Sequence, residues 1–125
     1  MMAGGAVAAL AAVLLVTRTA GAAHPEPRPG IGADLVLPAT AVPRTPGALE
    51  AYAAARSVPG TLDGLYCHCQ CKENLQHRSL LTCFETDHGA YCDICMGEAM
   101  LAVQLGGQGR SLQEIRGAID RQFGS

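Results

Sequence analysis

From Pro46 to Ser125 the apolar positions recur at helical rather than strand spacing. Thr45-Pro46 opens the first helix with a hydroxyl N-cap and a proline whose missing N–H costs nothing in the first turn. Residues 48–56 are good helix formers, with Leu49, Tyr52, Ala53 and Arg56 on one face, and Pro59-Gly60 closes the segment. Residues 72–82 read as a short helix, and Asp87-His88-Gly89 as a turn into a stronger one over 91–105. There Cys92, Cys95, Met96, Ala99, Met100 and Val103 form an apolar stripe that Gly106-Gly107 stops. Ser111-Leu112-Gln113-Glu114 is a capping box for a last helix, whose inner face holds Leu112, Ile115, Ile119 and Phe123. Residues 67–71 have no helical period and read as a loop or short extended piece. The pattern predicts a small all-α domain of three or four short helices around a Cys-rich loop.

Upstream the pattern changes twice. Residues 6–16 are an unbroken apolar run, followed by Ala20-Gly21-Ala22, which fits a small-residue cleavage site. This is the anatomy of a signal peptide over 1–22; the run is shorter than the roughly 20 residues a spanning helix needs. Export to a periplasmic or other extracytoplasmic compartment is expected, with membrane contact only if residues 6–16 stay uncleaved as an anchor. Residues 23–45 carry Pro25, Pro27, Pro29, Pro38 and Pro43 and read as a mobile proline-rich linker. Residues 46–125 then form a single Cys/His-rich domain. With no tryptophan and two phenylalanines in the whole chain, it buries little apolar surface, and a domain this small usually needs a disulfide or metal staple. Six Arg and Lys against nine Asp and Glu leave it at −3, which gives no electrostatic case for nucleic acid.

All six cysteines lie between Cys67 and Cys95, interleaved with His68, His77 and His88. Packing does not require thiols at alternate positions. In an extended segment Cys67, Cys69 and Cys71 point one way and His68 the other. Neighbours at i, i+2 are awkward partners for one disulfide, because the bridge needs a specific separation and torsion, but they suit thiolate ligation of one ion. Cys92 and Cys95 stand one turn apart at a helix start, where partial positive charge favours thiolate. The candidate ligands for Zn(II) or Cu(I) are therefore Cys67, Cys69, Cys71, His77, Cys83, His88, Cys92 and Cys95. Cys69, Cys71, Cys92 and Cys95 form the leading set. Two alternatives stand beside metal binding. One is thiol–disulfide or peroxide chemistry, with Cys92 as nucleophile and Cys95 resolving it. The other is a non-catalytic module stapled by three disulfides and binding an envelope protein. Met96 and Met100 read as core filling, and His24 as a linker residue. No arrangement of Ser, His and carboxylates suggests hydrolysis, and nothing else marks the chain as an enzyme.

These residues resemble the bacterial family named for its PCYCGC or CYCxC motif. Cys67, Cys69 and Cys71 match the motif cysteines, with Tyr66, His68 and Gln70 standing where the family has proline, tyrosine and glycine. His77, the Cys83-Phe84 pair, and His88 with Cys92 and Cys95 are similar to further family positions, as are Glu114-Ile115-Arg116 and Ile119-Asp120. The likeness runs over about residues 48–124. It implies an exported or lipid-anchored protein, although this chain has no cysteine for lipidation near residue 22. Selenocysteine in the motif of some relatives implies redox chemistry, without excluding metal binding. Gln70 in the glycine position argues against a left-handed turn there.

Overall fold

A computed structural model describes residues 23–124. The signal peptide expected over 1–22 lies outside the described residues. Six α-helices and three 3-10 turns make up the secondary structure among them, with no strand. The helices are α1 (Ala48–Ser57), α2 (Pro59–Asp63), α3 (Cys71–Leu75), α4 (Leu80–Glu85), α5 (Asp93–Gly107) and α6 (Leu112–Phe123). None is long and apolar enough to cross a membrane. The small all-α class therefore holds, with more and shorter helices than the sequence pattern predicts.

The differences have local causes. Pro59 does not simply end α1; it occupies the first turn of α2 after a one-residue break at Val58, where a proline needs no N–H partner. The helix expected over 72–82 is split into α3 and α4, with Gln76 left-handed at φ 55° between them. Thr45 does not cap α1. Its hydroxyl donates to the Ala90 carbonyl, and α1 starts after Gly47, whose φ of 80° suits glycine. The capping box of α6 forms as expected, Ser111 Oγ accepting from Glu114 N–H and Glu114 Oε2 from Ser111 N–H, each at 3.2 Å.

α1 packs mainly on α5, and α5 on α6. The inner face of α1 is Ala48, Ala51, Tyr52 and Ala55 rather than the Leu49–Ala53–Arg56 side; Ala53 is exposed. Small alanines suit the close packing of α1 on α5, and Leu49 packs half-buried at the edge of the core. Tyr52 alone belongs to both faces. It is fully buried, lies edge-on to Phe84 with ring centroids 4.9 Å apart, and donates to the Thr86 carbonyl at 2.5 Å. On α5 the buried set is Cys95, Met96, Glu98, Ala99 and Ala102, while Met100 is turned outward at 43 % exposure.

The proline-rich stretch does not stand off from the helices. Val36 and Val42 are core residues, and Leu37 N–H donates to the Phe84 carbonyl at 2.9 Å. At its start the stretch is clamped by Asp63. The fully buried Asp63 carboxylate accepts from the Arg28 backbone N–H at 2.7 Å and from the Arg28 guanidinium at 2.8 Å, and it is ion-paired with Arg78 at 2.8 Å, whose Nη1 donates to the Asp63 backbone carbonyl at 3.1 Å. Arg116, from α6, donates to the carbonyls of Pro25 and Gly64. Proline composition forbade helix there, but it did not forbid packing.

Candidate metal centre

Three elements bring the sulfur and nitrogen donors together. The segment after α2 carries Cys67 and Cys69, α4 carries Cys83, and the 3-10 turn His88–Tyr91 delivers His88 into Cys92 and α5. Cys92 is the N-cap of α5: its extended backbone lets Sγ accept from the Cys95 N–H at 3.5 Å. Cys95 sits one turn along and is fully buried, as is Cys83, while Cys67 is nearly so.

The sulfurs crowd one another. Cys67 Sγ lies 3.1 Å from Cys95 Sγ and 3.3 Å from Cys69 Sγ, and Cys69 Sγ lies 3.4 Å from Cys95 Sγ. No pair among the described sulfurs is at bonding distance, since a disulfide is about 2.05 Å. Cys67, Cys83, Cys92 and Cys95 carry thiols, so a three-disulfide staple is not what holds this domain. Cys69 is disulfide-bonded, through a sulfur outside the described side chains. It can serve as a ligand only once reduced. The side chain of Cys71 also lies outside what the structure describes, so its place in the leading ligand set is carried by sequence alone.

Around this core the imidazoles close in. His88 Nε2 is 3.9 Å from Cys69 Sγ, His77 Nδ1 is 3.3 Å from Cys83 Sγ, and the two rings meet edge-on with centroids 5.2 Å apart. Three overlapping groups have ligand atoms within 4.8 Å of one another: Cys69, His88, Cys92 and Cys95; Cys67, Cys83 and Cys95; and His77, Cys83 and His88. The first offers three sulfurs and one nitrogen, a donor set that suits tetrahedral zinc. A Zn–S bond of about 2.3 Å sets tetrahedral sulfurs about 3.8 Å apart, so the cluster must open by a few tenths of an ångström to admit an ion.

Electrostatics favour ligation. Hydrogen bonds from the Cys83 and Cys95 thiols hold the Cys67 thiol well below its usual range, as a thiolate, and Cys83 and Cys95 are pushed up correspondingly, first by Cys67. One negative charge is thus shared by three buried sulfurs, and a cation is the natural way to deprotonate the others. Burial, then the neighbouring His88, lowers the pKa of His77, which keeps its ring neutral and able to bind metal.

Alternation along 67–69 is as the sequence suggested. Cys67 and Cys69 face Cys95, while His68 turns away, its Nε2 2.9 Å from Asp120 Oδ1. The sequence reading missed three residues around the cluster. His24 accepts from Tyr66 N–H through Nδ1 at 2.9 Å, which leaves Nε2 as the donor to Asp120 Oδ1 at 3.0 Å. Asp120 therefore anchors both His24 and His68. Glu98 is fully buried; its Oε1 accepts from His68 N–H at 2.9 Å, and its Oε2 has no hydrogen-bond partner. Burial, with the Cys67 charge adding to it, pushes the Glu98 carboxyl up to about 10, so it is neutral at pH 7. Spacing could have found Glu98, three residues beyond Cys95 on the inward side of α5. Nothing local in the sequence marks His24.

Gln70, which stands in the glycine position of the motif, is left-handed at φ 64°. The left-handed turn forms after all, at a cost of roughly 1–2 kcal/mol for a residue with a Cβ. Residues 32–125 match the family described as proteins of unknown function with a PCYCGC motif. The chain belongs to that family. This PCYCGC chain matches no curated protein and no solved structure. Its Cys/His cluster is thus understood from its own geometry.

Proposed function

We propose that this PCYCGC protein is an exported domain that binds a soft or borderline metal ion, Zn(II) or Cu(I), for its own structure or for metal handling. The observation that carries the reading is the convergence of Cys69, His88, Cys92 and Cys95 within 4.8 Å. Cys67, Cys83 and His77 adjoin them. Thiolate and imidazole donors select these ions over Mg(II) or Ca(II), which prefer oxygen. Cys92 is half-exposed and the deeper sulfurs are buried, so Cys92 is a sulfur that an incoming ion can reach from solvent. The test is metal content and thiol count on exported protein purified without chelator or reductant. Stoichiometric zinc or copper, with thiols that titrate only after its removal, supports the reading. Metal-free protein whose fold is indifferent to chelators overturns it.

A thiol–disulfide function has one observation in its favour: Cys69 carries a disulfide while a thiolate at Cys67 lies 3.3 Å from it. Attack by Cys67 on Cys69 would form a new bond and release the other sulfur as thiolate. That reading moves the nucleophile from Cys92 to Cys67. It requires one cysteine to alkylate well below pH 8 in metal-free protein, and uniformly slow alkylation would count against it.

A further inference from the structure

The donors are too many, and too closely shared, for a single ion. Each pair of the three groups has one residue in common. Cys95 belongs to the four-donor group and to the Cys67–Cys83 group; Cys83 belongs to that group and to the His77 group; His88 links the first and last. One zinc or copper ion takes at most four ligands in such sites, which would leave at least three of these seven donors unused, packed against bound thiolates. A thiolate sulfur has lone pairs for two ions. An imidazole nitrogen has one, so His88 must choose while Cys95 need not.

The position of Cys95 fits that role. It is fully buried on the first turns of α5, with Cys67 Sγ at 3.1 Å and Cys69 Sγ at 3.4 Å. Charge points the same way. Five thiolates around a single divalent ion leave three net negative charges in a buried site, and around two divalent ions they leave one. We propose that the reduced chain holds a two-ion, thiolate-bridged centre in which the Cys95 sulfur binds both ions. One ion is completed by Cys69, His88 and Cys92, and the other by Cys67 and Cys83, with His77 beside Cys83 at 3.3 Å. Each thiol loses its proton to solvent or buffer as its metal bond forms, and no electron is transferred. The inference rests on the metal-binding reading and adds its nuclearity and its bridging atom.

The experiment uses the full chain, reduced with a phosphine and kept anaerobic, titrated with Zn(II), Cd(II) and, with a competing chelator, Cu(I). Native mass spectrometry counts the ions, and cadmium NMR of the Cd(II) form reads whether two metals share a sulfur. The expected result is two ions per chain and two cadmium resonances coupled to each other, with Cys67→Ser binding one ion while keeping its helical circular dichroism. The unmodified chain decides the matter even if the variant fails to fold. Two ions without coupling overturn the bridge. One ion at saturation overturns the two-ion centre while the metal-binding reading stands, and no ion overturns both.

Discussion

Replacing Asp63 by alanine tests whether the proline-rich stretch is a structural part of the domain. The carboxylate is fully buried, accepts from the Arg28 N–H, from the Arg28 guanidinium and, at 3.3 Å, from Ser79 Oγ, and is ion-paired with Arg78. Removing one member of a buried ion pair costs about 3–5 kcal/mol when the survivor stays buried. Here the side chains of Arg28 and Arg78 are 43 % and 36 % exposed, so both rehydrate once released, and solvent already screens them. The loss should sit at the lower end, about 3 kcal/mol. For a domain of this size that is a fall in Tm of about 12–24 °C. Arg28→Ala leaves Arg78 and the Arg28 backbone N–H in place and should cost less, about 1–2 kcal/mol, since solvent already screens the half-exposed guanidinium that bonds Asp63. Acid sharpens the test. Burial alone would raise the Asp63 pKa, but the hydrogen bonds from Arg28 outweigh it and the net shift is downward. A depressed pKa gives stability that is present above the unfolded value of about 3.9 and is lost as pH falls through the folded one. The gap between wild type and Asp63→Ala should therefore narrow below about pH 4. Urea titration followed by circular dichroism measures the energies, and hydrogen exchange at the Arg28 amide reports the clamp itself. A change below about 0.5 kcal/mol, with unaltered exchange at Arg28, would refute the view that residues 23–45 are held by this contact.

Two further substitutions probe the core beside the cluster. Glu98, with its carboxyl raised to about 10, contributes stability that is full below the unfolded value of about 4.3 and is lost as pH rises, at most about 1.4 kcal/mol per pH unit. The depressed Cys67 slopes the opposite way, so the readout is a difference: in metal-free reduced protein, wild type should lose stability relative to Glu98→Gln between pH 5 and 8, and parallel curves would show that Glu98 ionises normally. Tyr52→Phe keeps the ring against Phe84 and removes only the donor to the Thr86 carbonyl. It should cost about 1 kcal/mol in urea denaturation, and no loss would mean that water replaces the hydroxyl freely.

What the chain dictates locally was legible in its sequence. Helical spacing gave α1, α5 and α6 to within a few residues, and the Ser111–Glu114 box marked the start of α6. Cys67 and Cys69 do lie on the side away from His68, as alternation suggested, although His68 and Cys69 sit in a turn rather than in an extended segment. Membership of the PCYCGC family was readable too, since the spacing of its cysteines and histidines, with Phe84 and the Glu114–Asp120 positions, stands in the sequence itself. Other features depended on distant partners. Residues 23–45 look like a linker to any rule based on proline, yet Val36 and Val42 join the core because the turns that carry them pack on α1 and Leu37 bonds the α4 backbone. The inner face of α1 follows alanines because α5 comes close, which no pattern within α1 reveals. Glu98 reads as an ordinary charged helix residue until folding strips it of water beside Cys67. Gln70 adopts a backbone that its own side chain disfavours, since the chain must turn there to bring Cys69 to Cys95. The overlap of three donor groups is likewise tertiary: sequence supplied the candidate ligands, and folding brings together all seven whose side chains are described, with Cys95 shared between two of the groups.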